Sequence, residues 1–141
     1  METLSTRETF VSFEVARLLK EKGFDWGCCS YWCVFPNGDR VHTDYGHFAN
    51  HNGNETDRFI SRPTQALAYR WLRETYDIMF TTERKKIVED EPDPFYDYCC
   101  IIKKNSNSYY ISSSYLPYTQ RYREYEEVIE DALKYCLENL I

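Results

Sequence analysis

The apolar positions of this chain repeat with two different periods, and the alternation between them predicts its elements. Val11, Val15, Leu18 and Leu19 fall on one helical stripe with Phe10 beside it, which predicts a first helix over residues 6–22. In front of it, Ser5-Thr6-Arg7-Glu8 places Ser three residues before Glu, the pattern of a capping box. Gly23 behind it suits the left-handed conformation that ends helices. Residues 26–35 are rich in aromatic and cysteine side chains, Pro36-Asn37-Gly38-Asp39 is a turn signal, and residues 40–45 alternate polar with apolar, so a β-hairpin is expected.

Residues 46–57 are dominated by Gly, Asn and His and read as a loop, after which Phe59 and Ile60 resume apolar character. The next helix has its start written in front of it. Pro63 presets φ and lacks an amide to leave unbonded, Thr64 can accept from an orphan amide, and Leu67, Ala68, Trp71, Leu72 and Thr75 form the stripe expected to be buried. Residues 78–82 are a strand candidate, followed by a charged run over 83–91 and by Pro92-Asp93-Pro94, which forbids regular structure. Residues 95–103 and 108–115 flank Lys104-Asn105-Ser106-Asn107 as a second hairpin, closed by Pro117. From Arg123 onward Tyr125, Val128, Ile129, Ala132, Leu133, Cys136 and Leu140 repeat with helical spacing. The order α-ββ-α-β-ββ-α predicts an α+β fold: an antiparallel sheet of two hairpins plus one strand, with about three helices on one face.

Composition narrows the class. A length of 141 residues fits one domain spanning 1–141, and 43% apolar with 17% aromatic residues is too much for a disordered chain. The net charge of −6 disfavours direct contact with nucleic acid or an anionic membrane, since both demand excess Lys and Arg, and a cationic partner suits it better. No apolar run is long enough to cross a bilayer, and the N-terminus has neither a basic nor an apolar leader region, so a cytoplasmic protein is expected. Adjacent pairs Cys28-Cys29 and Cys99-Cys100 are poor bridge formers, and reduced thiols in strands are the expectation.

Several residues resemble a group of small uncharacterised proteins of gut Bacteroidales and their phages. They are Lys22-Gly23-Phe24-Asp25, the Cys-x-x-Tyr stretch from Cys28 to Tyr31, Arg62-Pro63-Thr64-Gln65-Ala66 followed by Trp71-Leu72-Arg73-Glu74, and the Tyr125-Glu126-Glu127 start of the last helix. The resemblance implies a fold and a phage or mobile-element setting. It carries over no catalytic residues, and the loop at 46–57 and the extra cysteines depart from the pattern.

Candidate chemistry concentrates in two places. Cys28, Cys29 and Cys33 precede His42, His47 and His51, and thiolate with imidazole is the ligand set zinc prefers. Against a metal, there is no Cys-x-x-Cys, and neighbours in a strand point to opposite faces, so core thiols and surface histidines are the simpler expectation. Cys33 with His42 could form a nucleophile and base if the hairpin brought them together, although nothing supplies an oxyanion hole. The second concentration is tyrosine: eight of the thirteen lie between 96 and 125, and Tyr96, Tyr98, Tyr109, Tyr110, Tyr115, Tyr118 and Tyr122 alternate with polar residues. They could cover a sheet or present a contact surface, of which Tyr96, Tyr98, Tyr109, Tyr110 and Tyr115 are the interaction candidates. Lys85-Lys86 and Lys103-Lys104 near aromatic residues resemble single-strand nucleic-acid sites, but Glu83, Glu89, Asp90 and Glu91 offset the first pair, and a solvated charged loop explains it. The expected function is that of a non-enzymatic accessory or protein-interaction domain of phage or mobile-element type, with no cofactor, a protein partner of unknown identity and self-association through an edge strand left open. The alternative is a small metal-binding or Cys-dependent enzyme using residues 28–51.

Overall fold

Thr64 begins the best-written helix by accepting from the Leu67 amide at 3.1 Å through its hydroxyl, and α2 runs over Gln65–Tyr76. Its stripe buries Gln65, Ala68, Trp71 and Leu72, while Thr75, expected inside, is exposed. The computed structural model describes residues 9–53, 57–86, 96–112 and 124–141. Around α2 the chain runs α1 (Phe13–Glu21), β1 (Cys28–Val34), β2 (Arg40–Ala49), β3 (Phe59–Ser61), α2, β4 (Ile78–Lys86), β5 (Tyr96–Lys104), β6 (Asn107–Ser112) and α3 (Tyr125–Asn139). This is the α+β order that the periodicity predicts, with β3 added at Phe59. The strands form two antiparallel three-stranded sheets, β2-β1-β3 and β4-β5-β6.

The first helix starts later than its hydrophobic pattern suggests. Ser12 is its cap, accepting from the Val15 amide at 3.2 Å, and α1 begins at Phe13. Residues ahead of it are held extended, because the Val11 amide donates to the Pro63 carbonyl and the Gln65 amide to the Thr9 carbonyl. Val11 is buried through this pairing, so an apolar residue at helical spacing belongs instead to an extended lead-in. The Ser5 to Glu8 capping box lies outside the described residues. Gly23 takes φ +90° and closes α1 as expected, and Gly38 takes φ +93° in the β1–β2 turn, a region that costs a side chain energy and glycine none.

Two strands are longer than their composition indicates. β2 continues through Ala49, taking four residues from the expected loop, and β4 carries the start of the charged run to Lys86. The rest of the run, Pro92-Asp93-Pro94, Tyr115, Tyr118, Tyr122 and Pro117 lie outside the described residues.

One core joins both sheets. Ile60 of the first and Ile102 of the second belong to the same buried cluster as Leu19, Trp71, Leu72, Val128, Leu133 and Leu137. α3 packs against β5, β6, α1 and α2, and α1 reaches β3, so the helices bridge sheets that share no strand. A polar knot fixes the three helix starts: Glu130 of α3 accepts from the Ser12 amide at 2.7 Å and from Gln65 Nε2 at 3.1 Å, and the same Gln65 nitrogen donates to the Glu126 carbonyl at 2.9 Å. Among the described residues no helix is long and apolar enough to cross a membrane.

Candidate functional site

Strand alternation separates the cysteines and histidines expected to meet. From Ser30 onward, β1 sends Ser30, Trp32 and Val34 to one face and Tyr31 and Cys33 to the other. The register pairs Cys33 with Val41 and Trp32 with His42. Cys33 and His42 therefore face opposite sides of the sheet, which dissolves the proposed nucleophile and base pair. His42 meets the Trp32 ring edge-on at 5.3 Å, whereas His51 stacks on Tyr31 at 4.5 Å and holds the Ser61 hydroxyl through its own amide at 2.9 Å. Burial lowers the His51 pKa and favours the neutral ring. Cys28 is buried, its Sγ donates to the Ser30 carbonyl at 3.1 Å, and burial pushes its thiol up, away from a reactive thiolate. His47 is exposed on β2. Among the described residues, no group of three or more His, Cys, Asp or Glu side chains is placed to hold a metal ion.

The five tyrosine candidates also divide. In the second sheet the register aligns Phe80, Ile102 and Tyr109 on the face toward the helices, and Thr81, Ile101 and Tyr110 on the opposite face. Tyr98 and Tyr109 pack against the core, Tyr109 lying 5.8 Å from Tyr135 of α3. Tyr110 points outward and is 73% exposed. Beside it are half-buried Ile101 and, one register step away on β4, Met79 at 46% exposure. Lys103 and Ser108 pair across β5 and β6 next to them, so an apolar centre is bordered by polar residues. Tyr96 sits on β5 opposite Lys86, and Tyr115 lies outside the described residues. The tyrosines therefore serve two purposes: some complete the core, and Tyr110 is displayed.

A third place is absent from any sequence pattern. Arg62, between β3 and α2, turns its guanidinium back under the first sheet, where it lies 4.1 Å from the Phe10 ring centre and 5.4 Å from that of Trp32. Its Nη1 donates to Ser30 Oγ at 3.2 Å and faces Asp44 at 3.8 Å. A cavity of about 300 Å³ opens beside it, walled by Phe10, Cys29, Phe48, Leu67 and Arg70. Arg62 stands directly before the Pro-Thr helix start, which gives it the look of a spacer. Only the fold, by pairing residues 9–11 with residues 63–65, brings Phe10 over it.

No protein-family model matches the chain, nor does any curated protein or any solved structure at a significant level.

Proposed function

We propose that this chain is a non-enzymatic interaction protein, an accessory factor of phage or mobile-element type, that takes a protein partner on the outer face of the β4-β5-β6 sheet. The observation that supports this most is the exposure of Tyr110 and Met79 around Ile101 on a face turned away from the helices. An aromatic and a thioether beside an aliphatic side chain, ringed by Lys103, Ser108 and Thr81, have the make-up of a small interface centre with a polar rim. The charge of −6 favours a basic partner and makes its association faster at low salt. Among the described residues β6 forms one edge of its sheet, and pairing of that edge with a second copy of the chain is the other association open to it.

The thiol chemistry of residues 28–51 supports the enzymatic alternative less well, because Cys28 is held protonated by burial and Cys33 is turned away from His42. The test is affinity capture from a Bacteroidales lysate with the wild-type chain and with a Met79→Ser/Tyr110→Ser variant, at low and high salt. A protein retained by the wild type, lost by the variant and released by salt is expected. Identical captures from both chains, with their circular dichroism unchanged, would refute the assignment to this face.

A further inference from the structure

The Arg62 guanidinium carries a charge that its surroundings compensate poorly. Its side chain is only 15% exposed, yet its one acidic neighbour among the described residues, Asp44, stands 3.8 Å away and is itself 79% exposed to water. Both described polar contacts use Nη1, and Nε is enclosed without a hydrogen-bond partner, so neither holds the charge in a close ion pair. A guanidinium held in a partly dry site with only a distant, water-exposed counter-ion favours an anion brought to it, because desolvation strengthens the attraction and the planar fork matches a carboxylate. Stacking between Phe10 and Trp32 holds the plane of that fork in place.

The cavity next to it has the complementary character. Phe10, Phe48 and Leu67 supply apolar wall, and Arg62 and Arg70 are the charged residues among the described lining, which holds no carboxylate. This is unusual in a chain of net charge −6. Arg70 is engaged with Glu74 at 3.0 Å on the surface of α2, which leaves Arg62 as the principal cation. Phe48 is 75% exposed and adds apolar surface to the lining. The volume is at the lower end of small-molecule sites and fits a ligand of one ring or a short aliphatic chain.

We propose that this cavity is a binding site for a small apolar carboxylic acid, its carboxylate on the Arg62 guanidinium and its hydrocarbon part against Phe10, Phe48 and Leu67. The site is separate from the Tyr110 face and does not depend on it. Trp32 lies close enough to report occupancy by fluorescence, and calorimetry gives an independent readout.

The full chain is titrated with phenylacetate, hexanoate, the neutral isostere phenylacetamide and inorganic phosphate. Saturable binding of phenylacetate or hexanoate is expected, with phenylacetamide and phosphate each at least about tenfold weaker, since one lacks the charge and the other the apolar part. Arg62→Met should remove the preference for phenylacetate over phenylacetamide. Because that change also disturbs a packed cluster, Ala66→Trp is the second variant: Ala66 lines the cavity from an exposed position on α2, so the indole fills the space without touching the core. It should abolish binding while the melting temperature stays unchanged. Absence of saturable binding up to about 10 mM of either acid, equal affinity for phenylacetate and phenylacetamide, equal affinity for phosphate, or undiminished binding by Ala66→Trp would each overturn the proposal.

Discussion

Side-chain chemistry in this protein is decided by burial more than by neighbours. Cys100 and Cys136 are fully enclosed in the core, and burial is the main cause that pushes both thiols up to about 12. Together with buried Cys28 they should resist a thiol reagent at neutral pH in the native state and react only after denaturation, whereas half-buried Cys29 and Cys33 react sooner. Mass spectrometry of the labelled protein checks this; rapid labelling of Cys136 in the folded chain would contradict it. The same burial makes stability depend on alkaline pH. An unfolded thiol ionises near its ordinary value of 9.0, while the folded one keeps its proton to about 12. Folded protein then binds more protons over that window, so the contribution of these two thiols to stability is constant below about pH 9 and falls as pH rises toward 12. Thermal melts of the wild type should show that fall, and it should be shallower in C100A/C136A. The sequence expectation of core thiols covers Cys28, Cys29 and Cys33, of which Cys28 is buried while Cys29 and Cys33 are half-buried. Residue identity could not reveal the Arg62 cluster, whose members Phe10, Ser30, Trp32 and Arg62 are assembled by three separate elements.

At the level of elements, caps and pairings account for where the sequence pattern succeeds and where it misleads. The Pro63-Thr64 start and the Gly23 stop were legible because a single residue type suffices for each. The true start of α1 was not, since Val11 keeps the helical spacing while its backbone pairs with Pro63. β3 escaped notice because three residues are too few for a period, and its identity comes from pairing with residues 31–33 of β1. Thr64→Ala and Ser12→Ala should each cost about 1 kcal/mol by removing the acceptor of a first-turn amide. Denaturant titration measures both; a loss under about 0.3 kcal/mol at either position would show that its cap is dispensable. Glu130→Ala strikes three helix starts at once, through the Ser12 amide and Gln65, and should cost about 1–3 kcal/mol. Glu130→Gln, which keeps an acceptor oxygen, should cost less.

For the whole molecule, the helical layer is what makes two sheets into one folding unit. Leu133 is completely buried in the cluster that holds both Ile60 and Ile102, so Leu133→Ala should cost about 2–5 kcal/mol and lower the stability of both sheets together. Coincident unfolding curves from tryptophan fluorescence and far-ultraviolet circular dichroism would confirm a single transition; two separated transitions would show that the sheets unfold independently. The α+β class could be read from periodicity because helical and strand spacing alternate clearly along the chain. The division into two sheets could not, since strand pairing is non-local and no spacing along the chain encodes it, nor does it encode the packing of α3 on β5 and β6. The outward face of the second sheet follows from that packing: α3 takes Tyr109 and leaves Tyr110 to the outside. The most direct test of this surface places a photo-crosslinking amino acid at Tyr110 and, as a control, at exposed Val41 on the first sheet, and irradiates each chain in a Bacteroidales lysate. A discrete protein adduct from position 110 and none from position 41 is the predicted result. No adduct from position 110, or the same adducts from both positions, would contradict the assignment of partner recognition to this face.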